Sequence, residues 1–305
     1  MRLVLSLDVE EEGLFSGAYE RHPRAFRNVA LLERLDRITR DFGLPLTLLA
    51  TWPVLADPDC AALLRRMQDA SGAEIGAHLH LWNTPPFSPL DQGQPSAARL
   101  PGPLLHKKLE TLCSAVEACA GKPPISFRMG RWDFTDAVRE ALPGLGIRVD
   151  SSVQPLALTP AGMDHFLDWG DPYPLRAGDG ELLEAPLSVF PLSPALARAV
   201  YGLRSALPRP ALRAFMALGR VSVQPVWHSL AAMKLAANLH ARRDGQVLTL
   251  FLHSSELLPG ANPRLPGQAD VDRMLKKLRL FLEWLSRKYG LEGIRLGDLA
   301  GSGMR

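Results

Sequence analysis

Cysteine is scarce in this chain, with three residues among 305. Their number is odd and no two of them form a CxxC pair, so the sequence excludes a disulfide framework and indicates a reducing compartment. We expect all three to be small buried hydrophobic residues. They are Cys60, Cys113 and Cys119.

The chain also lacks a strong excess of charge and a long apolar run at its start. A formal net charge of +3 is too small for this length to predict a general polyanion-binding role, and we expect no nucleic-acid partner. The apolar stretch before Asp8 is shorter than a signal-peptide core or a membrane span. A cytoplasmic location is therefore predicted.

What the chain does have is 47% hydrophobic residues, enough to bury a large core, so one domain over residues 1–305 is predicted. Short apolar runs alternate with amphipathic helices. This alternation predicts an α/β fold with a mostly parallel sheet of seven or eight strands, open or closed as a barrel. The predicted strands cover residues 3–8, 46–51, 74–80, 125–128, 147–150, 182–184, 247–252 and 293–296. The predicted helices cover residues 27–42, 59–70, 105–116, 134–142 and 271–285.

Two histidines at the end of the third predicted strand suggest a metal site. His78 and His80 are two residues apart and project from the same face of a strand. Imidazole is the commonest side-chain ligand of zinc, and a catalytic zinc site usually has three protein ligands. Asp8 and Glu10, at the end of the first strand, also share a face and offer the third ligand. The alternative is that both histidines are ordinary core or surface residues.

Other polar side chains also fall at the carboxyl ends of strands, where the chemistry of parallel barrels takes place. They are Arg128, Asp150 and His253. Each has a structural alternative. His253 can cap a strand end, Arg128 and Arg131 can be solvated or paired with the acidic residues near Asp8, and Asp150 can stabilise a turn.

Four separated segments together carry a family resemblance: LSLDVE at 5–10, EIGAHLH at 74–80, SFRMGRW at 126–132 and LHSSEL at 252–257. In this order they resemble the NodB-like polysaccharide deacetylases, the family-four carbohydrate esterases. The resemblance implies a distorted (β/α) barrel of about seven strands. It also implies an enzyme that removes an N-acetyl group from a sugar with a divalent metal, often zinc.

The resemblance assigns a role to each matching residue. Asp8 resembles the carboxylate that acts as general base, and Arg128 resembles the arginine that orients it. Glu10 resembles the acidic metal ligand, and His78 matches the first metal histidine. His253 resembles the late histidine that acts as general acid.

The chain departs from the family where the second metal histidine is expected, four residues after the first. Trp82 occupies that position. His80 is the predicted replacement because it shares a face with His78, and Asn83 is a weaker alternative because amide oxygens are poor zinc ligands. A second departure is that Val9 separates the two acidic residues of the first motif.

Substrate contacts are predicted around these residues. Trp82 and Asn83 follow the metal histidines, and Arg131 and Trp132 follow the strand that carries the predicted orienting arginine. Backbone N–H groups of the turn at residues 130–132 are candidates for stabilising an oxyanion.

Residues 187–245 are predicted to form a helical insertion or lid that prolines divide into two or three helices. Between residues 187 and 243 the charged side chains are all basic. They are Arg198, Arg204, Arg209, Arg213, Arg220, Lys234, Arg242 and Arg243. This composition favours an anionic or lipid-linked sugar and peripheral contact with the inner face of a membrane. The alternative is a subdomain whose arginines are simply solvated.

Taken together, these features predict a metal-dependent hydrolase of carbon–nitrogen bonds. Its substrate would be an N-acetylated sugar, linked to a nucleotide or a lipid, in the synthesis of a glycan or lipopolysaccharide precursor. Two alternatives remain. One keeps the site but removes a formyl group or opens a cyclic amide, and the other is a non-catalytic carbohydrate-binding protein.

Overall fold

The computed structural model describes residues 1–17, 19–91, 95–157, 165–178 and 180–301. Residues 302–305 of the predicted domain lie outside the described part. A nine-stranded sheet and a separate two-stranded sheet form the centre of the molecule. The strands are β1 (Arg2–Val9), β2 (Leu46–Ala50), β3 (Glu74–Leu79), β4 (Ser126–Met129), β5 (Val149–Asp150), β6 (Tyr173–Ala177), β7 (Gly180–Glu184), β8 (Val189–Pro191), β9 (Arg220–Ser222), β10 (Val247–His253) and β11 (Glu292–Ile294).

Helices connect most of the strands of the large sheet. In the described residues they are α1 (Arg27–Ala30), α2 (Leu32–Arg40), α3 (Trp52–Ala56), α4 (Pro58–Ser71), α5 (Gly102–Ala120), α6 (Asp136–Ala141), α7 (Pro194–Gly202), α8 (Arg209–Leu218), α9 (Leu230–Ala241) and α10 (Gln268–Tyr289). Strand and helix alternate because parallel neighbours need a crossover connection.

The large sheet has the order β10-β1-β2-β3-β4-β5-β7-β6, and β11 also pairs with β1. β6 and β7 are antiparallel, whereas the other neighbours are parallel. The sheet curls into a half-barrel. The half-barrel is open because, in the described residues, the end strands β6 and β10 do not pair with each other. The predicted α/β fold, a distorted barrel with a mostly parallel sheet, is confirmed.

The core consists of leucine-rich strands packed against the apolar faces of the helices. The side chains of β1 from Leu3 to Val9 are buried, and so are those of β10 from Val247 to Leu252. Helix α10 buries Leu278, Leu282 and Leu285 on one side. Fully burying a leucine contributes roughly 1.5–3 kcal/mol. This packing holds the strand ends, and thus the side chains that follow them, in fixed positions.

Several observed elements differ from the sequence prediction, and α3 is one that was not predicted. Residues 27–42 form two helices because the chain tightens at Leu31, whose N–H donates to the carbonyl of Asn28 three residues back. Strand β3 ends at Leu79, so His80 follows the strand. Strand β6 was not predicted because Pro174 interrupts its pattern, although an edge strand tolerates proline.

The insertion at residues 187–245 contains α7, α8 and α9, and also the antiparallel pair β8–β9, which was not predicted. Its inner side builds a second apolar cluster in which Phe215 of α8 packs with Phe166 and Phe251. Phe251 lies on β10, so the insertion rests against the strand that carries His253. Among the described helices, none combines the length and apolarity needed to cross a bilayer. The lid role remains a prediction.

Candidate active site

The carboxyl ends of β1, β3, β4 and β10 meet at one edge of the sheet, as parallel pairing requires. Asp8 is in register with His253 of β10, and His78 is in register with Arg128 of β4. A cavity of about 190 Å³ opens at this edge. Its polar lining residues are Asp8, Glu10, His78, His80, Arg131 and His253, and its aromatic walls are Phe15, Tyr19, Trp82 and Trp132.

Arg128 fixes the position and charge of Asp8. Its Nη1 donates to Asp8 Oδ1 at 2.5 Å, and its other nitrogens donate to Ser6 Oγ at 2.8 Å and to the carbonyl of Ser151 at 2.8 Å. Burial opposes ionisation of Asp8, but the charge of Arg128, with that of His253, lowers its pKa to about 2. Asp8 is therefore an oriented carboxylate at neutral pH.

Glu10, His78 and His80 form a group that fits a metal ion. Nε2 of His78 lies 3.7 Å, and Nε2 of His80 3.5 Å, from Oε2 of Glu10. The three ligand atoms are all within 4.8 Å of one another. Ligand atoms about 2.0–2.1 Å from a tetrahedral zinc lie about 3.3 Å apart, so only small movements are needed. Two imidazoles and one carboxylate are a common donor set of catalytic zinc sites.

The charge states of these groups also favour a cation. Burial lowers the pKa of His78 to about 3, so its imidazole is neutral and able to act as a ligand. Burial, with the nearby carboxylates Asp8 and Glu11, raises the pKa of Glu10 well above its ordinary value, against the attraction of His253. A divalent cation would relieve this repulsion among buried carboxylates.

Glu10 is held by its backbone, which leaves its carboxylate directed at the cavity. Its N–H donates to Ser254 Oγ at 3.1 Å, and its carbonyl accepts from Asn28 Nδ2 at 2.7 Å. Asn28 also donates to Ser254 Oγ at 2.8 Å. This buried network ties the ends of β1 and β10 to helix α1.

His253 faces Asp8 from the neighbouring strand β10 and is a protonated group at the cavity. Its Nε2 lies 3.7 Å from Asp8 Oδ2, and its Nδ1 lies 3.4 Å from Glu256 Oε1. Burial opposes its protonation, but Glu10, Glu256 and Asp8 outweigh burial and raise the pKa of His253 to about 10. A protonated imidazole beside the cavity can donate a proton to a leaving group.

The four predicted substrate-binding residues take different positions. Trp82 lines the cavity and stacks on His80, with ring centroids 4.2 Å apart. Arg131 and Trp132 also line it, both in left-handed backbone conformations, φ 59° and 58°. Asn83 is fully buried and donates to Glu11 at 2.6 Å. Its position does not support a contact with substrate.

Asp150 lies away from the cavity. Its carboxylate accepts from the N–H of Ser152 at 2.9 Å and from Ser152 Oγ at 2.7 Å, which is the turn-stabilising alternative. The Ser152 hydroxyl in turn accepts from the N–H of Met129 at 2.7 Å. Asp150 thus supports the end of β4, the strand that carries Arg128.

Several residues of the site were not predicted from the sequence. Phe15 and Tyr19 lie in a loop without periodicity, so no sequence signal marked them. Glu256 had a signal, because it follows His253 by three residues in a recognised segment, and Glu11 lies in the acidic run after β1. Both glutamates are fully buried beside a site histidine.

A buried lysine anchors the loop after β3. Lys108 of α5 donates to the carbonyls of Leu81 at 3.0 Å and Thr84 at 2.6 Å, and to Asp91 at 3.0 Å. The side chains of Lys108 and Asp91 are completely buried. This contact fixes the loop segment that carries Trp82.

No protein-family model matches this chain, and no curated protein matches it. Several solved structures, however, match this chain. A candidate polysaccharide deacetylase from Mycobacterium smegmatis superposes with a TM-score of 0.60 and 18% identity, covering 98% of this chain and 88% of that chain. A candidate polysaccharide deacetylase from Pseudomonas aeruginosa gives a TM-score of 0.57 and 16% identity, covering 98% and 89%. The PuuE allantoinase gives a TM-score of 0.57 and 16% identity, also covering 98% and 89%.

Identity this low shows a shared fold, not a shared activity. The resemblance that the four sequence segments predicted is confirmed at this level. The chain has the fold of proteins described as polysaccharide deacetylases, a fold that includes an allantoinase.

Proposed function

We propose that this protein is a divergent NodB-like hydrolase that removes the N-acetyl group of a sugar with the help of a divalent metal. The observation that carries the proposal is the convergence of a metal-fitting Glu–His–His group with a paired carboxylate and a protonated histidine. All of them face one cavity at the carboxyl edge of the sheet. Amide hydrolysis needs these components: a base, an acid and electrostatic support for the developing charge.

The metal site consists of Glu10, His78 and His80, and zinc suits this donor set. A divalent ion held there would polarise the acyl carbonyl and make water a stronger acid. This effect matters because the carboxylate of Asp8, with a pKa of about 2, is by itself a weak base.

The chain's own residues divide the proton transfers. Asp8, ionised and held by Arg128, accepts the proton of the attacking water. His253, on the other side of Asp8, donates a proton to the nitrogen that leaves. Glu256, whose Oε1 lies 3.4 Å from Nδ1 of His253, stabilises the protonated form of that imidazole. Trp132 and Phe15 limit the access of bulk water to these groups.

The size of the cavity indicates how substrate binds. Ligand pockets that enclose a whole small molecule usually measure about 300–1,000 Å³, whereas this cavity measures about 190 Å³. An acetamido group and part of one ring fill it. The remainder of the sugar, and whatever it is attached to, lies outside against the exposed part of Phe15 and the neighbouring loops.

A second function shares the same machinery. Opening of a cyclic amide needs the same base, acid and metal, and one fold neighbour is an allantoinase. A deformylase differs only in the acyl group. A non-catalytic sugar-binding protein is disfavoured by the paired and oppositely charged Asp8 and His253, which binding alone does not require.

The outer face of the insertion supports a membrane-linked substrate and a cytoplasmic location at the inner membrane face. Helix α7 buries Ala197 and Val200, whereas Leu196 on the helix and Leu203 directly after it are about half exposed. The N–H of Leu192 donates to the carbonyl of Gly219 at 2.9 Å, which brings the exposed end of α8 beside α7. Exposed leucines among arginines, without acidic residues, suit an anionic lipid surface.

The test is a product assay on the zinc-loaded protein. Candidate substrates are N-acetylated nucleotide sugars, lipid-linked N-acetylated sugars, their N-formyl counterparts and allantoin. Acetate release from a sugar is the expected result. Formate release or ring opening, without acetate release, would show that the enzyme hydrolyses a different amide and that the proposed acetyl specificity is wrong. Binding of a sugar without any product would overturn the enzyme proposal.

A further inference from the structure

Glu11 is a fully buried carboxylate directly after the predicted metal ligand Glu10. Its Oε1 accepts from Asn83 Nδ2 at 2.6 Å and from Trp82 Nε1 at 3.4 Å, and its Oε2 accepts from Thr51 Oγ1 at 3.4 Å. Burying a carboxylate is costly, so three donors converging on it need an explanation. The carboxylate does not line the cavity, and neither the base nor the acid role uses it.

The side chain that Glu11 faces is His80. Oε1 of Glu11 lies 3.5 Å from Nδ1 of His80, while Nε2 of the same ring lies 3.5 Å from Glu10. Among the described residues, His80 Nδ1 makes no hydrogen bond, and the Glu11 carboxylate at 3.5 Å is the acidic group paired with it. A neutral imidazole carries one N–H and one lone pair, so the position of its proton decides which nitrogen can bind a metal.

His78 shows how the proton is placed on its neighbour. Its Nδ1 lies 3.0 Å from the backbone carbonyl of Arg128. A carbonyl only accepts, so Nδ1 must carry the hydrogen and Nε2 keeps its lone pair toward Glu10. His80 lies beyond the end of β3, and no carbonyl of the described residues forms a hydrogen bond with its Nδ1. A carboxylate at its Nδ1 serves the same purpose.

Two further contacts hold the ring of His80 in this orientation. Trp82 stacks on one side of it. Gly130 packs so closely against the ring that a Cβ atom there would collide with its Cδ2 atom. The ring therefore has little room to turn over.

We propose that Glu11 is a positioning residue that keeps the proton of His80 on Nδ1 and so makes its Nε2 a metal ligand. The inference rests on the proposed metal site and deepens it. Trp82 then has a role in place of the expected histidine, because it donates to Glu11 and stacks on His80. Glu11, Trp82 and Asn83 together allow an HxH pair to replace an arrangement with histidines four residues apart.

The first test is the tautomer of His80 in the metal-free, full-length protein, read from two-bond ¹H–¹⁵N correlations at neutral pH. Hydrogen on Nδ1 is expected. Hydrogen on Nε2 in the wild-type protein would overturn the proposal without the need for any variant.

The second test is zinc affinity, measured by calorimetric titration with Zn²⁺ alone. Glu11→Gln keeps the shape of the side chain and removes its charge, and zinc affinity should fall about 10–100-fold. Glu12→Gln is the matched control, because Glu12 is paired with Arg27 at 2.6 Å and lies away from His80. It should bind zinc like the wild type. Wild-type affinity in Glu11→Gln would contradict the proposal.

Neither measurement uses a substrate, so the inference and the proposed function can fail separately. If Glu11→Gln weakens zinc binding while the wild type hydrolyses none of the candidate substrates, the positioning role stands and the function fails. If substrate is hydrolysed while zinc affinity and tautomer do not depend on Glu11, the function stands and the positioning role fails.

Discussion

The guanidinium of Arg128 and the carboxylate of Asp8 form a buried ion pair, with Nη1 2.5 Å from Oδ1. The two residues lie on β4 and β1, which are separated in the sheet by β2 and β3. The pair therefore bridges the inside of the curled sheet. Arg128 is fully buried and Asp8 nearly so, and such pairs persist only when both partners are well hydrogen-bonded. This contact links the fold directly to the charge of the proposed base.

The separate roles of Asp8 and His78 give the first prediction. Asp8→Asn should lower turnover by about 10²–10⁴-fold, because the proton acceptor is lost, and should still bind zinc. His78→Ala should lose both zinc and turnover, because a ligand is removed. Metal content by elemental analysis and product release measured on the same samples check this. Equal and mild effects of the two changes would contradict the assigned roles.

The close contact between Gly130 and His80 gives the second prediction. A Cβ atom at Gly130 would collide with the imidazole of His80 and lie 2.6 Å from the carbonyl of Leu79. The backbone cannot yield easily, so Gly130→Ala should displace the ring and lower zinc affinity at least about tenfold.

The matched control for this change is Gly144→Ala. A Cβ atom there meets nothing within 4 Å, so zinc affinity should be unchanged. Circular dichroism establishes that both variants fold. Wild-type zinc affinity in Gly130→Ala would show that the His80 ring has more room than its contacts indicate.

Sequence patterns indicated which polar side chains lie together more accurately than they indicated the path of the chain. Asp8, His78, Arg128 and His253 follow apolar runs, and because parallel strands end at one edge, their convergence could be anticipated. Glu11 could not be separated from the other carboxylates in the acidic run, because period and spacing do not show which side chain turns inward. His80 illustrates the same limit: it shares a face with His78, but the neighbours that hold its ring in place could not be identified from the sequence.

The elements that sequence patterns missed are short and depend on tertiary contacts. Strands β8 and β9 have three residues each and exist because they pair with each other over a long separation in sequence. Phe15 and Tyr19 belong to a segment in which apolar residues follow neither the period of a helix nor the alternation of a strand. Their place on the cavity wall follows from the fold as a whole.

A pH-dependent contribution to stability is expected from Asp171. Its carboxylate accepts from the N–H of Val247 at 2.7 Å, the N–H of Gln246 at 2.9 Å and His240 at 3.0 Å. Burial opposes its ionisation, but these hydrogen bonds, with that of His240 foremost, lower the pKa of Asp171 below its ordinary value. Asp171 therefore joins helix α9 of the insertion to the start of β10.

The sign follows from the lowered pKa. The folded state holds the ionised form, so the stabilisation is complete above the unfolded pKa of about 3.9 and is lost as pH falls through the lower folded value. Asp171→Asn should lower the free energy of unfolding by about 1–3 kcal/mol at pH 7. The difference from wild type should narrow below about pH 4.

Urea unfolding at a series of pH values measures this difference. Asp69→Asn, an exposed change on α4, is the control and should leave stability nearly unchanged at every pH. A difference between wild type and Asp171→Asn that stays constant as pH falls would show that the ionised carboxylate is not the stabilising form.

The outer face of the insertion gives the last prediction, which separates a lipid surface from a merely solvated one. If exposed leucines and arginines dock on an anionic bilayer, the protein should sediment with phosphatidylglycerol vesicles at low salt, less so at high salt, and not with phosphatidylcholine vesicles. Leu196 on α7 is 51% exposed and Leu203, directly after the helix, is 56% exposed, so the double change Leu196→Ser with Leu203→Ser should weaken binding at least about tenfold. Leu280→Ser on α10, where the side chain is 39% exposed, is the control and should bind like the wild type.

Absence of sedimentation with anionic vesicles at low salt would remove the membrane contact, and with it the main support for a lipid-linked substrate.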